Sequence, residues 1–82
     1  MNTYTLKFFA RCPTNNVRIE YLWKLELPLG GDPLWAEDLI ETVDLIDRAM
    51  HEEIADTLFR EFGGKQTLTA DHHGVCIETV RT

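Results

Sequence analysis

At 82 residues, 44% apolar and 27% charged, the chain has the composition of one ordinary globular domain, of a size that buries only about 60% of its unfolded surface. Its formal charge of −6 opposes direct nucleic-acid binding, which depends on lysine and arginine displacing counterions, and two cysteines, Cys12 and Cys76, are too few for a disulfide framework. Met1-Asn2-Thr3-Tyr4 lacks the pattern of a secretion signal and no apolar run approaches the roughly 20 residues that span a bilayer, so a cytoplasmic protein with reduced thiols and no membrane partner is expected.

Tyr4, Leu6, Phe8 and Ala10 alternate with Thr3, Thr5, Lys7, Phe9 and Arg11, and this period of two predicts a strand. Cys12-Pro13-Thr14-Asn15-Asn16 is turn chemistry, since proline gives no ladder donor and asparagine tolerates positive φ. Residues 17 to 27 follow as the cleanest strand in the chain, with Val17, Ile19, Tyr21, Trp23, Leu25 and Leu27 on one face. The two strands form a long hairpin. Its outward face presents Lys7, Arg11, Arg18 and Lys24 with Phe9 and Leu22 among them, which suggests that something covers part of it.

Gly30-Gly31-Asp32-Pro33 announces a helix, with Asp32 as N-cap and Pro33 as the first helical residue, and Phe62-Gly63-Gly64 is its stop. Ala36, Leu39, Ile40, Val43, Ile46, Met50, Ile54, Leu58 and Phe62 share one side of a helical wheel. Asp47 and Glu61 intrude on that stripe, and Leu45 and Phe59 fall outside it. A single helix over residues 33 to 62 would be about 45 Å long, so one bent helix and two helices parted between Asp44 and His51 both fit. The block holds nine carboxylates (Glu37, Asp38, Glu41, Asp44, Asp47, Glu52, Glu53, Asp56, Glu61) against Arg48 and Arg60, a formal −7, and leaves +1 for the rest.

Lys65 to Ala70 reads as a short strand, Asp71-His72-His73-Gly74 as a turn, and Val75 to Arg81 as the last strand. The expected fold is α+β in the order β-β-α(α)-β-β: a four-stranded, largely antiparallel sheet in one domain over residues 1 to 82, with a long or broken acidic helix on one face.

Catalytic and cofactor signatures are absent. His51-Glu52-Glu53-Ile54-Ala55 begins like the zinc-protease helix, but alanine stands where the second histidine is required, and His51 is expected to be a partly exposed helix residue. Asp71, His72 and His73 lack the paired spacing of a zinc site, so no metal is expected. Cys76, between Val75 and Ile77, reads as a small buried apolar group. Cys12 reads as the more exposed thiol, and His72 or His73 could approach it only if the two hairpin tips meet. Trp23 follows the buried period, whereas Trp35 fits either a lid over the sheet or a partner's anchor.

The order of elements, the long first hairpin, and the second half from His51-Glu52-Glu53-Ile54-Ala55-Asp56-Thr57-Leu58 through Val75-Cys76-Ile77-Glu78-Thr79 resemble the tunnelling fold of pterin synthases and dihydroneopterin aldolases. The resemblance implies assembly through sheet edges and binding of a pterin- or purine-like ring at a subunit interface, with Glu78 as the anchoring glutamate. The residues themselves add His72, His73 and Cys12 as further ligand candidates. Arg18-Ile19-Glu20 stands where pterin synthases carry a zinc-binding His-x-His, so their catalysis is not implied. The function expected from the residues is a non-catalytic, self-associating interaction domain without a cofactor. Its surface would comprise Glu37, Asp38, Glu41, Asp44, Glu52 and Asp56 on the helix, or Phe9, Leu22 and Trp35; an acidic decoy for a nucleic-acid-binding protein is one form of it.

Overall fold

The computed structural model describes residues 1–28, 30 and 34–82. Four strands, β1 (Asn2–Arg11), β2 (Arg18–Leu27), β3 (Lys65–His72) and β4 (Val75–Arg81), form one antiparallel sheet in the order β1-β2-β3-β4. Two helices, α1 (Ala36–Asp44) and α2 (His51–Phe62), intervene between β2 and β3. The α+β class and the β-β-α-α-β-β order agree with the sequence patterning. The expected cap at Asp32 and helix start at Pro33 lie outside the described residues; α1 begins at Ala36, with Trp35 in the N-cap position and Glu37 and Asp38 at the positive end of its dipole.

The acidic block is two helices rather than one bent one, although no proline or glycine divides it. After Val43 the backbone tightens, with the Leu45 and Ile46 amides donating to the Thr42 and Val43 carbonyls at 3.3 and 3.0 Å, three residues back. The chain then runs beside the end of β1, where the Arg11 amide donates to the Asp47 carbonyl (2.8 Å) and the Ala49 amide to the Arg11 carbonyl (3.3 Å). These bonds replace the helical ones that residues 47–49 give up. Asp47, an intruder on the apolar stripe, thus sits exposed in the connection, and the stripe members Ile40 and Met50 are also left about half exposed, at 46% and 48%.

Sheet and helices enclose one core. Phe8, Ala10, Ile19, Tyr21, Trp23, Leu25, Leu68 and Ala70 meet Leu39, Val43, Ile54, Ala55 and Leu58. Gln66 is its polar pin: the Trp23 indole Nε1 donates to Gln66 Oε1 at 3.0 Å, and Gln66 Nε2 donates to the carbonyls of Leu58 (3.0 Å) and Gly63 (2.7 Å). At the edge of the core Arg81 bonds Glu52 (2.7 Å) and Asp56 (3.0 Å), pairing β4 with α2 and holding its own guanidinium pKa above the ordinary value.

The α2 stop is as expected, with Gly63 at φ 65°. Gly64 is constrained further: at φ 70°, an added Cβ would lie 2.6 Å from the Glu26 carbonyl oxygen and 2.6 Å from Leu27 Cδ2. Gly64→Ala is expected to cost about 1–3 kcal/mol, seen as a lower urea midpoint, and an unchanged midpoint would contradict this close approach. The second hairpin is tighter than expected. Asp71 and His72 belong to β3, leaving His73 (φ 55°) and Gly74 (φ 88°) as a two-residue turn of the kind that matches strand twist.

Candidate functional site

The two hairpin tips meet, with Asn15 Nδ2 donating to His73 Nε2 at 3.1 Å. Behind this contact lies a cleft of ≈320 Å³ lined by Cys12, Ile19, Tyr21, Ala49, Met50, His51, Glu52, His72 and Ile77. Two of the candidate residues, Cys12 and His72, therefore share a cavity. His73 holds the tips together, and Glu78 is absent: it follows Ile77 on β4, pairs with Thr69 and lies on the opposite face of the sheet.

His51 is buried rather than partly exposed, because α2 starts there and turns its first residue onto Tyr21 and His72. Its Nδ1 lies 3.0 Å from His72 Nε2, so one ring donates an N–H to the other's lone pair. Its Nε2 is buried without a hydrogen-bond partner among the described residues. Burial pushes the His51 pKa down, His72 adds to this and Arg81 contributes slightly, while Glu52 and the Leu68 carbonyl pull the other way. A histidine held below its ordinary 6.5 binds fewer protons folded than unfolded as the pH falls through that value. The His51 contribution to stability is thus complete above pH 6.5 and declines as the pH drops toward the folded value. Thermal midpoints measured from pH 7.5 to 5.5 are expected to fall less in His51→Phe than in the wild type, and parallel curves would refute this assignment.

The cysteine assignments are reversed. Cys12 is half-buried and Cys76 exposed, because the β4 register directs Ile77, Thr79 and Arg81 toward the helices and Cys76, Glu78 and Val80 away. Amide hydrogen bonds from Thr14 and then Asn15 lower the Cys12 pKa; burial opposes them, and the Thr14 hydroxyl adds to the lowering. Tyr21, across the cleft, is raised by burial and then by the Cys12 charge. The cleft thus offers apolar walls, a thiol that ionises more readily than usual and a histidine pair. Among the described residues no group of three or more His, Cys, Asp or Glu is placed to hold a metal ion.

The sheet face away from the helices is open, with Phe9 45%, Leu22 39% and Val80 47% exposed. One row crosses all four strands as Lys7, Leu22, Thr69 and Glu78, with a cation at one edge and a carboxylate at the other. The direction of the edge groups follows from Arg11, whose N–H and C=O both point away from β2. By the alternation of an antiparallel ladder the same holds for Thr3, Thr5, Lys7 and Phe9, and, carried across the unbroken registers, for Cys76, Glu78 and Val80 on the outer edge of β4. None of these groups has a backbone partner among the described residues.

On the helices, Glu37, Asp38, Glu41 and Asp44 are exposed with no cationic side chain within 4.0 Å among the described residues, whereas Glu52 and Asp56 are engaged by Arg81. Trp35 is 66% exposed. No helix among the described residues is long and apolar enough to cross a membrane.

Comparison with protein families, curated proteins and solved structures finds no match to the chain. Its geometry is the basis for a functional reading.

Proposed function

We propose that this chain is a small acidic interaction domain that self-associates by joining the outer edge of β1 in one copy to the outer edge of β4 in the next. The observation that carries this is the row Lys7-Leu22-Thr69-Glu78, which ends in opposite charges beside free backbone groups at both edges. An unshifted antiparallel junction continues the row, sets Lys7 against Glu78 of the next copy, and pairs the outward N–H and C=O groups of both residues. A strand edge left open is a template for such pairing. The join is head-to-tail, so it closes into a ring or extends as a filament. Asp44 of α1 shares a hollow with Lys7 and Phe9 of β1, which leaves Glu37, Asp38 and Glu41 to a basic partner such as a nucleic-acid-binding protein.

Molar mass in solution, measured by light scattering over a range of protein concentrations, tests the reading. Oligomers that survive raised salt but shrink on dilution are expected, because backbone pairing and the apolar side chains Phe9 and Val80 are not screened. A monomer at every concentration would eliminate it.

A second reading is a binder of a pterin- or purine-like ring, in keeping with the resemblance to the tunnelling fold. The cleft lined by Tyr21, His51, Glu52 and His72 favours it, with a volume of ≈320 Å³ and mostly apolar walls. The location of Glu78 on the other face removes it from that cleft, so the polar contacts would fall to Glu52 and the histidines. A rise in melting temperature with pterins or purines, lost in His72→Ala, is the expected sign, and no shift with either class of ring would dismiss it.

A further inference from the structure

We propose that Arg11, Arg18 and Arg48 form a binding site for a phosphate monoester carried by a small molecule. Arg11 and Arg18 are opposed in the β1–β2 register, and Arg48 is opposed to Arg11 on its other side through the parallel bridge of the interhelical connection. Residues so paired project to the same face, and the three side chains make a row at the end of the open sheet face. Two are held. The Arg18 guanidinium lies 3.8 Å from the centre of the Phe9 ring, and Arg48 Nη2 donates to the Asn16 side-chain oxygen at 2.6 Å.

Arginines directly opposed across strands repel, and the carboxylates that share hollows with them, Asp44 and Asp47, form no ion pair with them among the described residues. The chain has 14 carboxylates for 8 lysines and arginines, yet among the described residues none lies within 4.0 Å of these three guanidiniums. Beside the row is a hollow of ≈270 Å³ lined by Phe9, Ala10, Arg11, Arg18 and Asp47. Asp47 is the acidic group on that wall, and Glu20, opposite Phe9, is turned to Lys7 at 4.0 Å.

The donor set selects the ligand. One guanidinium satisfies a carboxylate through two parallel hydrogen bonds, whereas Arg11 and Arg18 on the wall of the hollow, with Arg48 next in the row, supply the donors and charge that a tetrahedral phosphate dianion takes up. A nucleic-acid backbone has the same phosphate chemistry but would bring a long negative charge toward a block of formal charge −7, which favours a single phosphate. The row lies beyond the last free edge group, at Phe9, so it stays open when β1 pairs with another copy.

The test follows the arginine Nε–Hε signals of the intact chain by NMR during titration with inorganic phosphate and then phenyl phosphate at pH 7.5, with ionic strength held constant by chloride. Saturable shifts at Arg11, Arg18 and Arg48 are expected with both, weakened about tenfold in Arg18→Gln and in Arg11→Gln. Both positions are exposed, and an unchanged backbone spectrum establishes that each variant is folded. The wild-type titration decides the matter even if a variant does not fold. Shifts reproduced by chloride alone, absence of saturation, or tighter binding of a single-stranded oligonucleotide than of phenyl phosphate would overturn the assignment.

Discussion

Gln66→Leu is expected to destabilise the domain by about 3 kcal/mol, although leucine is of similar size and more apolar. Gln66 is 3% exposed and joins three elements: it accepts from Trp23 on β2, donates to the last turn of α2 at Leu58, and donates to the Gly63 carbonyl just beyond it. Leucine would leave the buried indole N–H and the Gly63 carbonyl without these partners, each a desolvation of about 1–3 kcal/mol that local relaxation and water partly relieve, and would take the second bond from the Leu58 carbonyl, which keeps its place in the α2 ladder. Domains of this length have total stabilities of about 4–12 kcal/mol, so the loss is a large fraction of the whole. Thermal midpoints would drop by about 12–24 °C. Trp23 fluorescence in a Trp35→Phe background reports the transition, since Trp23 is 1% exposed and Trp35 66%. A loss below about 1 kcal/mol would mean that the three hydrogen bonds are not the pin described.

Reversing the charge at either end of the cross-sheet row is expected to weaken self-association, and reversing both to restore it. Lys7→Glu would bring Glu78 of the next copy against a carboxylate, and Glu78→Lys would set two lysines together, each weakening an interface about tenfold. The double variant re-forms the pair with its polarity exchanged, so the two changes are strongly non-additive. Lys7 also lies 4.0 Å from Glu20 within its own chain, and melting each variant separates that local effect from association. Light scattering reads the outcome. Single variants that assemble like the wild type, or a double variant no better than the singles, would place the junction elsewhere.

Much of the fold is legible in the chain because a strand buried on one face must alternate. From Val17 to Leu27 every second residue is apolar, and Ile19, Tyr21, Trp23 and Leu25 are all buried. The interhelical break is less legible, since its cause lies outside the segment: residues 47–49 leave the helix to bond Arg11, which is distant in sequence. β4 misleads for a related reason. Cys76 is flanked by Val75 and Ile77, but the register with β3 decides which of these neighbours faces the core, and Val75 remains 63% exposed. Neither Gln66 nor His51 carries a motif; the one available signal is that Gln66 shares the parity of Leu68 and Ala70, which places it inward.

The candidate sites depend still more on tertiary structure. Cys12 and His72 come together because the hairpin tips meet, while Glu78 is carried to the opposite face by a single step along β4. The arginine row draws its members from β1, β2 and the interhelical connection, so spacing along the chain holds no trace of it. By itself the sequence determined the class, the order of elements and the concentration of negative charge in the helices, because period, turn residues and charge are local properties. Tertiary structure decided where the helical block divides, which thiol is exposed, which carboxylates are engaged by Arg81 and, among the described residues, which cations form no ion pair. Those are outcomes of register and packing, in which one residue's surroundings are supplied by others far along the chain.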